Sequence, residues 1–252
     1  MGEVVRYHQI SFDTAHIARP GEKVRYFEAT PYPHVDGSAR VTELDEKPLV
    51  RWLMLCPLSR QIILAQLGLP PDALHRPEVV EPFYAEGEGD VDLILCGQLS
   101  PHQAFALECK RVKIEIVNAG QDRINKLHGV AAGVWQANKL YNGRFPFFQT
   151  YLAIITEVEA SGLDGWNIPS RGVRSHSTPL HGDTRTTTFR QIVEFPGRDD
   201  LNDDIGILFI EVAQPSRISI DKQATVRVCR YRSAEPRDQP DSITKRVLEV
   251  FG

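Results

Sequence analysis

Asp92, Glu108 and Lys110 are three residues of this chain whose types and spacing could do chemistry together. Residues 89–95 and 104–110 both alternate apolar and polar side chains, which is the pattern of a half-buried β-strand. Successive side chains of a strand point to opposite faces, so Glu108 and Lys110 share the polar face of the second strand. Asp92 lies on the polar face of the first.

The two strands are predicted to form a hairpin, because the segment that joins them contains a glycine and a proline. A hairpin centred on Ser100 pairs Asp92 with Glu108, and Asp90 with Lys110. Directly paired side chains have Cβ atoms about 4.5–5.5 Å apart, so two carboxylates would repel there unless a cation lay between them. Oxygen ligands suit Mg²⁺, with Mn²⁺ as a substitute. Lys110 could then orient or deprotonate a water that attacks phosphorus.

An aspartate before an apolar run, followed by Glu-x-Lys at the end of the next strand, resembles the PD-(D/E)XK nuclease superfamily. The matching residues are Asp92, Glu108 and Lys110, and the resemblance covers residues 49–156. It implies a restriction-endonuclease-like α/β fold, in which a mixed β-sheet is flanked by helices. The implied core order is αβββαβ, followed here by additional C-terminal strands. The resemblance also implies a metal-dependent nuclease that hydrolyses phosphodiester bonds of nucleic acid, with DNA as the expected partner.

The resemblance also assigns roles to individual residues. Asp92 and Glu108 would hold Mg²⁺, with the backbone carbonyl of Cys109 as a further ligand, and Lys110 would orient or activate the attacking water. The helix before the sheet can supply another acidic residue in this superfamily. Several glutamates flank the predicted helix, and the sequence does not choose among them: Glu43, Glu46, Glu78, Glu81, Glu86 and Glu88.

Two further residues are accessory candidates. Asp90 is the alternative to Asp92 if the strand register differs by one side-chain repeat. Gln136 resembles the Gln of the superfamily's Gln-x-x-x-Tyr element, but Tyr141 comes one residue too late for that spacing. A solvent-facing Gln136 is the alternative interpretation.

Arginines are the candidates for binding the nucleic-acid backbone. Residues 160–200 are rich in glycine and proline, and their arginines outnumber the nearby aspartate, so this segment could grip phosphates or be an ordinary solvated loop. In a regular strand over 226–232 two arginines share one face, which could follow a nucleic-acid backbone or form surface ion pairs. The five candidates are Arg171, Arg174, Arg185, Arg230 and Arg232.

Composition sets broad limits on the class of protein. The chain has 252 residues, of which 42% are hydrophobic and 25% charged, as expected of a globular protein with a sizeable core. A formal net charge of -4 argues against a uniformly basic nucleic-acid binder, although a local patch and bound metal can oppose phosphate repulsion. The dispersed cysteines favour reduced thiols in the cytoplasm. We see no signal peptide and no apolar run of the ~20 residues that span a membrane, so no membrane partner is expected.

The chain is expected to be a single domain, 1–252, with the nuclease-like core at 49–156. Residues 1–48 form an N-terminal extension, and 157–252 a loop-rich region with additional strands and a C-terminal helix. A homodimer is compatible with this organisation. The predicted core elements are a helix at 49–68 that is kinked or split by Pro57, a strand at 78–86, the hairpin, a helix at 121–141 and a strand at 148–156.

A second function stays open at this stage. The chain could be a non-catalytic nucleic-acid-binding module on a nuclease-like fold, although such a module has no chemical need for Asp92, Glu108 and Lys110 together. These residues do not distinguish DNA from RNA, single from double strands, or endonuclease from exonuclease action.

Overall fold

The protein is described here from a computed structural model. The structure describes residues 7–11, 46–85, 89–118, 121–125, 127–143, 145–158, 200–213 and 225–252. Its strands are β1 (Tyr7–Ser11), β2 (Leu74–Val79), β3 (Val91–Gly97), β4 (Ser100–Asn118), β5 (Gln121–Asn125), β6 (Gln149–Val158), β7 (Gly206–Ala213) and β8 (Thr225–Arg232). Its helices are α1 (Glu46–Leu55), α2 (Pro57–Leu67), α3 (Leu127–Asn142) and α4 (Asp241–Phe251).

The described strands form one mixed sheet in the order β1-β8-β7-β6-β4-β3-β2, and β5 pairs with β4 outside this path. The β4–β6 and β6–β7 pairs are parallel, and the other pairs are antiparallel. Helix α3 makes the crossover between β4 and β6, as expected for a parallel connection. The predicted α/β class, with a mixed sheet flanked by helices, is confirmed.

In the described residues, apolar clusters cover both faces of the sheet. One contains side chains of α1 and α2 packed on Phe105, Leu107 and their neighbours. The other contains Ile94, Ala106 and side chains of α4. Because side chains alternate along β4, Glu108 and Lys110 lie on the same face as Ala106. No helix in the part of the chain that the structure describes is both long and apolar enough to cross a membrane.

The helix predicted over 49–68 is split at the residue that was expected to disturb it. Pro57 is the first residue of α2, and Cys56 is its N-cap. Proline has no N–H to donate, so it fits the first turn of a helix but not its interior. Gly68 ends α2, as predicted.

Two other predicted elements are wrong in their bounds or type. The strand expected at 78–86 is β2, which ends at Val79, and the following residues form a turn that includes Pro82. The helix expected from residue 121 begins only at Leu127, because 121–125 form β5 against the end of β4. Asn118 pairs with Gln121, and 121–125 run antiparallel to the end of β4 instead of starting a helix.

The predicted register of the β3–β4 hairpin is present beside the candidate site. Leu93 pairs with Leu107, and Leu95 with Phe105, as a hairpin centred on Ser100 requires. At the turn, however, Gly97 pairs with Ser100, so the register shifts between Leu95 and Gly97. Because of this shift, the turn between Gly97 and Ser100 is tight, while the pairs from Leu95 to Leu93 keep the predicted register.

Gln239 connects the N-terminal ends of the neighbouring strands β4 and β6, which lie away from the candidate site. Its Oε1 accepts the Ala104 N–H at 3.0 Å and the Phe148 N–H at 3.2 Å. Its Nε2 donates to the Pro101 carbonyl at 2.9 Å and to Thr244 at 3.0 Å. One side chain just before α4 therefore satisfies main-chain groups of β4 and of the residue that precedes β6.

Candidate active site

The candidate site lies where β3 and β4 separate. The registered pairs of this ladder end at Leu93 and Leu107, and beyond them two carboxylates accept amides of β4. Asp92 Oδ2 accepts the Cys109 N–H at 2.7 Å, and Glu46 Oε2 accepts the Arg111 N–H at 2.9 Å. Alternate residues of a strand direct their N–H groups to the same edge, so the Cys109 and Arg111 amides both lie on the edge of β4 that faces β3. There the carboxylates of Asp92 and Glu46 accept the hydrogen bonds that a neighbouring strand would otherwise accept.

The Lys110 ammonium lies among three carboxylates. Its Nζ is 2.7 Å from Glu108 Oε1, 3.3 Å from Glu46 Oε1 and 4.0 Å from Asp92 Oδ2. The side chains of Asp92, Glu108 and Lys110 are 12%, 6% and 13% exposed, respectively. When all four groups are ionised, two negative charges of this cluster have no counter-charge within it.

Burial and mutual repulsion raise the pKa values of two of these carboxyl groups. Burial, followed by the charge of Asp92, raises the pKa of Glu108 to about 8. Burial also raises the pKa of Asp92, although the hydrogen bond from the Cys109 N–H opposes this. Burial lowers the pKa of Lys110, but the neighbouring carboxylates, Glu108 first, outweigh burial and raise it. Lys110 therefore keeps its proton at neutral pH, which favours orienting a water over deprotonating it.

The donor set suits a hard divalent cation. Glu108 Oε1 is a buried acceptor, and the Lys110 ammonium lies 2.7 Å from it as an ion-pair partner. Carboxylate oxygens and surplus negative charge favour Mg²⁺ or Mn²⁺. The Cys109 N–H faces Asp92, and its carbonyl lies on the same strand edge, where the resemblance implies a further ligand. Within the residues described, no group of three or more His, Cys, Asp or Glu side chains is placed so that it could hold a metal ion as it stands.

Of the described glutamates among which the sequence does not choose, Glu46 is the one that contacts Lys110 and the Arg111 N–H. It is the first residue of α1, where a negative charge also suits the helix dipole. Of the other candidates, Glu78 pairs with Arg51 at 2.7 Å, and Glu81 is exposed. Glu43, Glu86 and Glu88 lie outside the described residues. The position of Glu46 depends on how α1 approaches the sheet, which no local pattern encodes.

Asp90 does not pair with Lys110, so this part of the predicted hairpin is wrong. Strand β3 begins at Val91, and the Asp90 carboxylate instead pairs with Lys47 of α1 at 2.6 Å. The Lys47 side chain is 53% exposed, so this ion pair lies at the solvent-facing margin of the site. Asp92 is consequently the better candidate for a metal ligand.

Gln136 and Tyr141 do not act as a pair on α3. Gln136 is half-buried, one turn after Gly133. Tyr141 is five residues further along, so it lies on a different side of the helix. Its hydroxyl donates to Asp204 at 2.6 Å, in the segment that leads into β7. Gln136 stays an accessory candidate, without the tyrosine of the superfamily element.

Arg230 and Arg232, the two arginine candidates within the described residues, do not share a face of β8. Ile207 pairs with Arg232 and Leu208 with Arg230, so a register shift places the two arginines on opposite faces of β8. Arg232 donates to the carbonyls of Ile205 and Asn202 at 2.8 and 2.9 Å. The predicted shared face of Arg230 and Arg232 is therefore wrong. Three candidates lie outside the described residues: Arg171, Arg174 and Arg185.

Gly133 allows α3 to pass directly over Lys110. A Cβ at this position would lie 2.3 Å from Lys110 Cγ and 3.1 Å from Leu152 Cδ1. Such contacts require the lysine side chain to move. A Cβ at Gly129, one turn earlier on the same helix, would meet no atom within 4 Å.

We expect Gly133→Ala to displace Lys110 and to reduce any activity that depends on it. Gly129→Ala is the matched control, since alanine is favoured over glycine in a helix by roughly 0.5–1 kcal/mol and has room there. Thermal unfolding and activity of both variants test this. Equal activity of the Gly133 and Gly129 variants would show that the helix does not control the lysine.

The raised pKa of Glu108 predicts how the stability of the metal-free protein depends on pH. The folded protein holds this proton more tightly than the unfolded chain, so the free energy of unfolding should fall as pH rises from about 4.5 to about 8. One group contributes at most about 1.4 kcal/mol per pH unit. Glu108→Gln should flatten this decline and stabilise the protein at pH 8 but not at pH 4.5. Denaturant unfolding at several pH values measures the free energy of unfolding of both proteins. An equally steep decline with pH in Glu108→Gln would contradict the prediction.

No family model matches the chain, and neither do the curated proteins or the solved structures that were searched.

Proposed function

We propose that this chain is a metal-dependent nuclease with a restriction-endonuclease-like core of the PD-(D/E)XK type. The observation that carries the proposal is the convergence of Glu46, Asp92, Glu108 and Lys110 at the point where β3 leaves β4. Three carboxylates and one lysine, brought from a helix and two strands, form a partly buried acidic site with surplus negative charge. An ordinary surface ion pair needs none of this arrangement.

In the proposed site, Asp92, Glu108 and Glu46 would hold Mg²⁺ or Mn²⁺, with the Cys109 carbonyl as a further ligand. A bound divalent ion would neutralise charge at the phosphate and lower the pKa of the attacking water. The protonated Lys110 would orient that water by donating a hydrogen bond to its oxygen. The water oxygen bonds to phosphorus, the bond from phosphorus to a sugar oxygen breaks, and the departing oxygen gains a proton, so one water is consumed per cut.

Nucleic acid, DNA in particular, is the proposed substrate. The test uses purified protein with single- and double-stranded DNA and RNA, in Mg²⁺, in Mn²⁺ and in a chelator. We expect cleavage that depends on the metal. Binding without cleavage in any metal would support a non-catalytic nucleic-acid-binding module instead, and the absence of both would exclude nucleic acid as the ligand under these conditions.

A further inference from the structure

Trp135 exposes an aromatic ring on α3, the helix that passes over Lys110. The residue is 63% exposed. The other exposed large apolar residues within the described ranges are leucines: Leu55, Leu99 and Leu248. An indole has a wide flat face and an N–H at its edge, so an exposed one can stack on a flat ligand, which a leucine cannot do. Among these exposed side chains, Trp135 is therefore the one suited to recognise an aromatic group.

The ring has a fixed position relative to the candidate site. Gly133 lies against Lys110, and Trp135 follows it by roughly 200° around the helix, so Trp135 faces away from the sheet. Asn138 donates to the Asp200 carbonyl at 3.0 Å, which fixes one flank of α3. A helix with its side chains is about 10–12 Å across. A nucleic-acid strand at Lys110 can therefore reach the ring within about three or four nucleotides, at a spacing of roughly 3.4 Å.

A lysine accompanies the ring, and no carboxylate shares its helix. Lys139 Nζ lies 5.2 Å from the centroid of the Trp135 ring, in a cation–π contact. Residues 127–142 contain no Asp and no Glu, although the chain has a formal net charge of -4. Toward the start of the helix the residues are small and leave space, since Ala132 is exposed and a Cβ at Gly129 would meet no atom within 4 Å. These features favour a ligand that is flat, aromatic and anionic.

We propose that Trp135 stacks on a base of single-stranded nucleic acid and that Lys139 pairs with the adjoining phosphate. The inference rests on the proposed nuclease function and names its substrate class: a single strand, or the unpaired end of a duplex. Bases inside a duplex already stack on their neighbours, whereas unpaired bases can stack on an aromatic side chain. A second copy of the chain is the alternative occupant, but a stable protein interface buries far more surface than one ring offers.

The experiment measures binding of a short fluorescein-labelled oligothymidylate in Ca²⁺ by fluorescence anisotropy. Trp135→Leu keeps an apolar side chain and a good helix former, but it removes the flat face. We expect its Kd for the single strand to rise about 5- to 100-fold, as for the loss of one base–aromatic stack. Trp135→Phe keeps a ring and should retain most of the affinity. Binding of a blunt-ended duplex should be unchanged in both variants.

Lys139→Gln tests the phosphate contact separately. Losing one contact to a single strand should reduce the slope of log K against log salt by about 0.7, so the variant binds more weakly at low salt. Leu248→Ala is the matched control, because it removes an exposed apolar side chain from α4, and it should bind like the unaltered protein. In cleavage of the single strand, Trp135→Leu should raise KM and retain kcat, because the ring binds the strand away from the bond that breaks.

The outcomes separate this inference from the proposed function. If the unaltered protein cleaves the single strand and Trp135→Leu binds and cleaves it equally well, the stacking role is overturned and the nuclease function stands. If the unaltered protein binds the strand without cleaving it and Trp135→Leu binds more weakly, the stacking role is supported and the nuclease function fails. Binding of duplex alone, or of no nucleic acid, would overturn the stacking role. So would a change of oligomeric state in Trp135→Leu by sedimentation with unchanged oligonucleotide binding, which would assign the ring to an interface between copies.

Discussion

Replacing Asp92 by Asn, or Glu108 by Gln, is expected to abolish metal-dependent cleavage while leaving the protein folded. Each change removes one negative charge from the site and keeps the shape of the side chain. In Asp92→Asn the amide side chain would still offer an oxygen to the Cys109 N–H, whose bond to Asp92 is 2.7 Å long. Initial cleavage rates, together with thermal unfolding in the absence of metal, measure the effect. Metal titration by calorimetry should show weaker binding in both variants.

Asp90→Asn is the control for this experiment. Asp90 lies two residues from Asp92 but pairs with the largely exposed Lys47. We expect its loss to leave most of the cleavage rate intact. Full activity in Asp92→Asn or Glu108→Gln would contradict the assignment, and an inactive Asp90→Asn beside an active Asp92→Asn would move the metal ligand to Asp90.

Lys110→Met should lower the cleavage rate by ~10²–10⁴, the range for a side chain that assists proton transfer or positions the attacking group. If Lys110 paired only with Asp90 on an exposed hairpin face, its loss would change stability little. In the structure its ammonium instead contacts three carboxylates and is only 13% exposed. Removing it leaves their charges uncompensated, so the variant should also be less stable at pH 8 than at pH 5 relative to the unaltered protein.

Lys47→Met provides the matched comparison. Lys47 forms an equally short ion pair with Asp90, 2.6 Å long, but its side chain is 53% exposed. Such a pair contributes only about 0–1 kcal/mol, so we expect little change in stability or in cleavage. Equal rates for Lys110→Met and the unaltered protein would reduce Lys110 to an ion-pair partner, and the proposal would lose its most specific residue.

The sequence predicts the hairpin and its register because both depend on local pattern. Alternation along β4 determines which side chains share the face of Glu108, and the apolar positions of β3 select a partner register. Pro57 and Gly68 likewise mark helix ends by backbone chemistry that any fold must respect.

What the sequence misses depends on contacts between distant elements. Glu46 reaches β4 because α1 begins beside the place where β3 begins, and this approach leaves no periodic signal. The register shift in β8 separates Arg230 from Arg232, which simple alternation would place together. The short run 121–125 has too few residues to distinguish a strand from the start of a helix, and pairing with β4 decides it.

The hydrogen bonds of Gln239 have a consequence for how the protein is made. Gln239 binds Ala104 across 135 residues of sequence, so during synthesis β4 emerges long before the side chain that secures its end. Domains form from the N-terminal side first as the chain leaves the ribosome, and contacts of such long range form slowly. The main-chain groups of Pro101, Ala104 and Phe148 therefore lack their Gln239 partner until the segment before α4 has been translated.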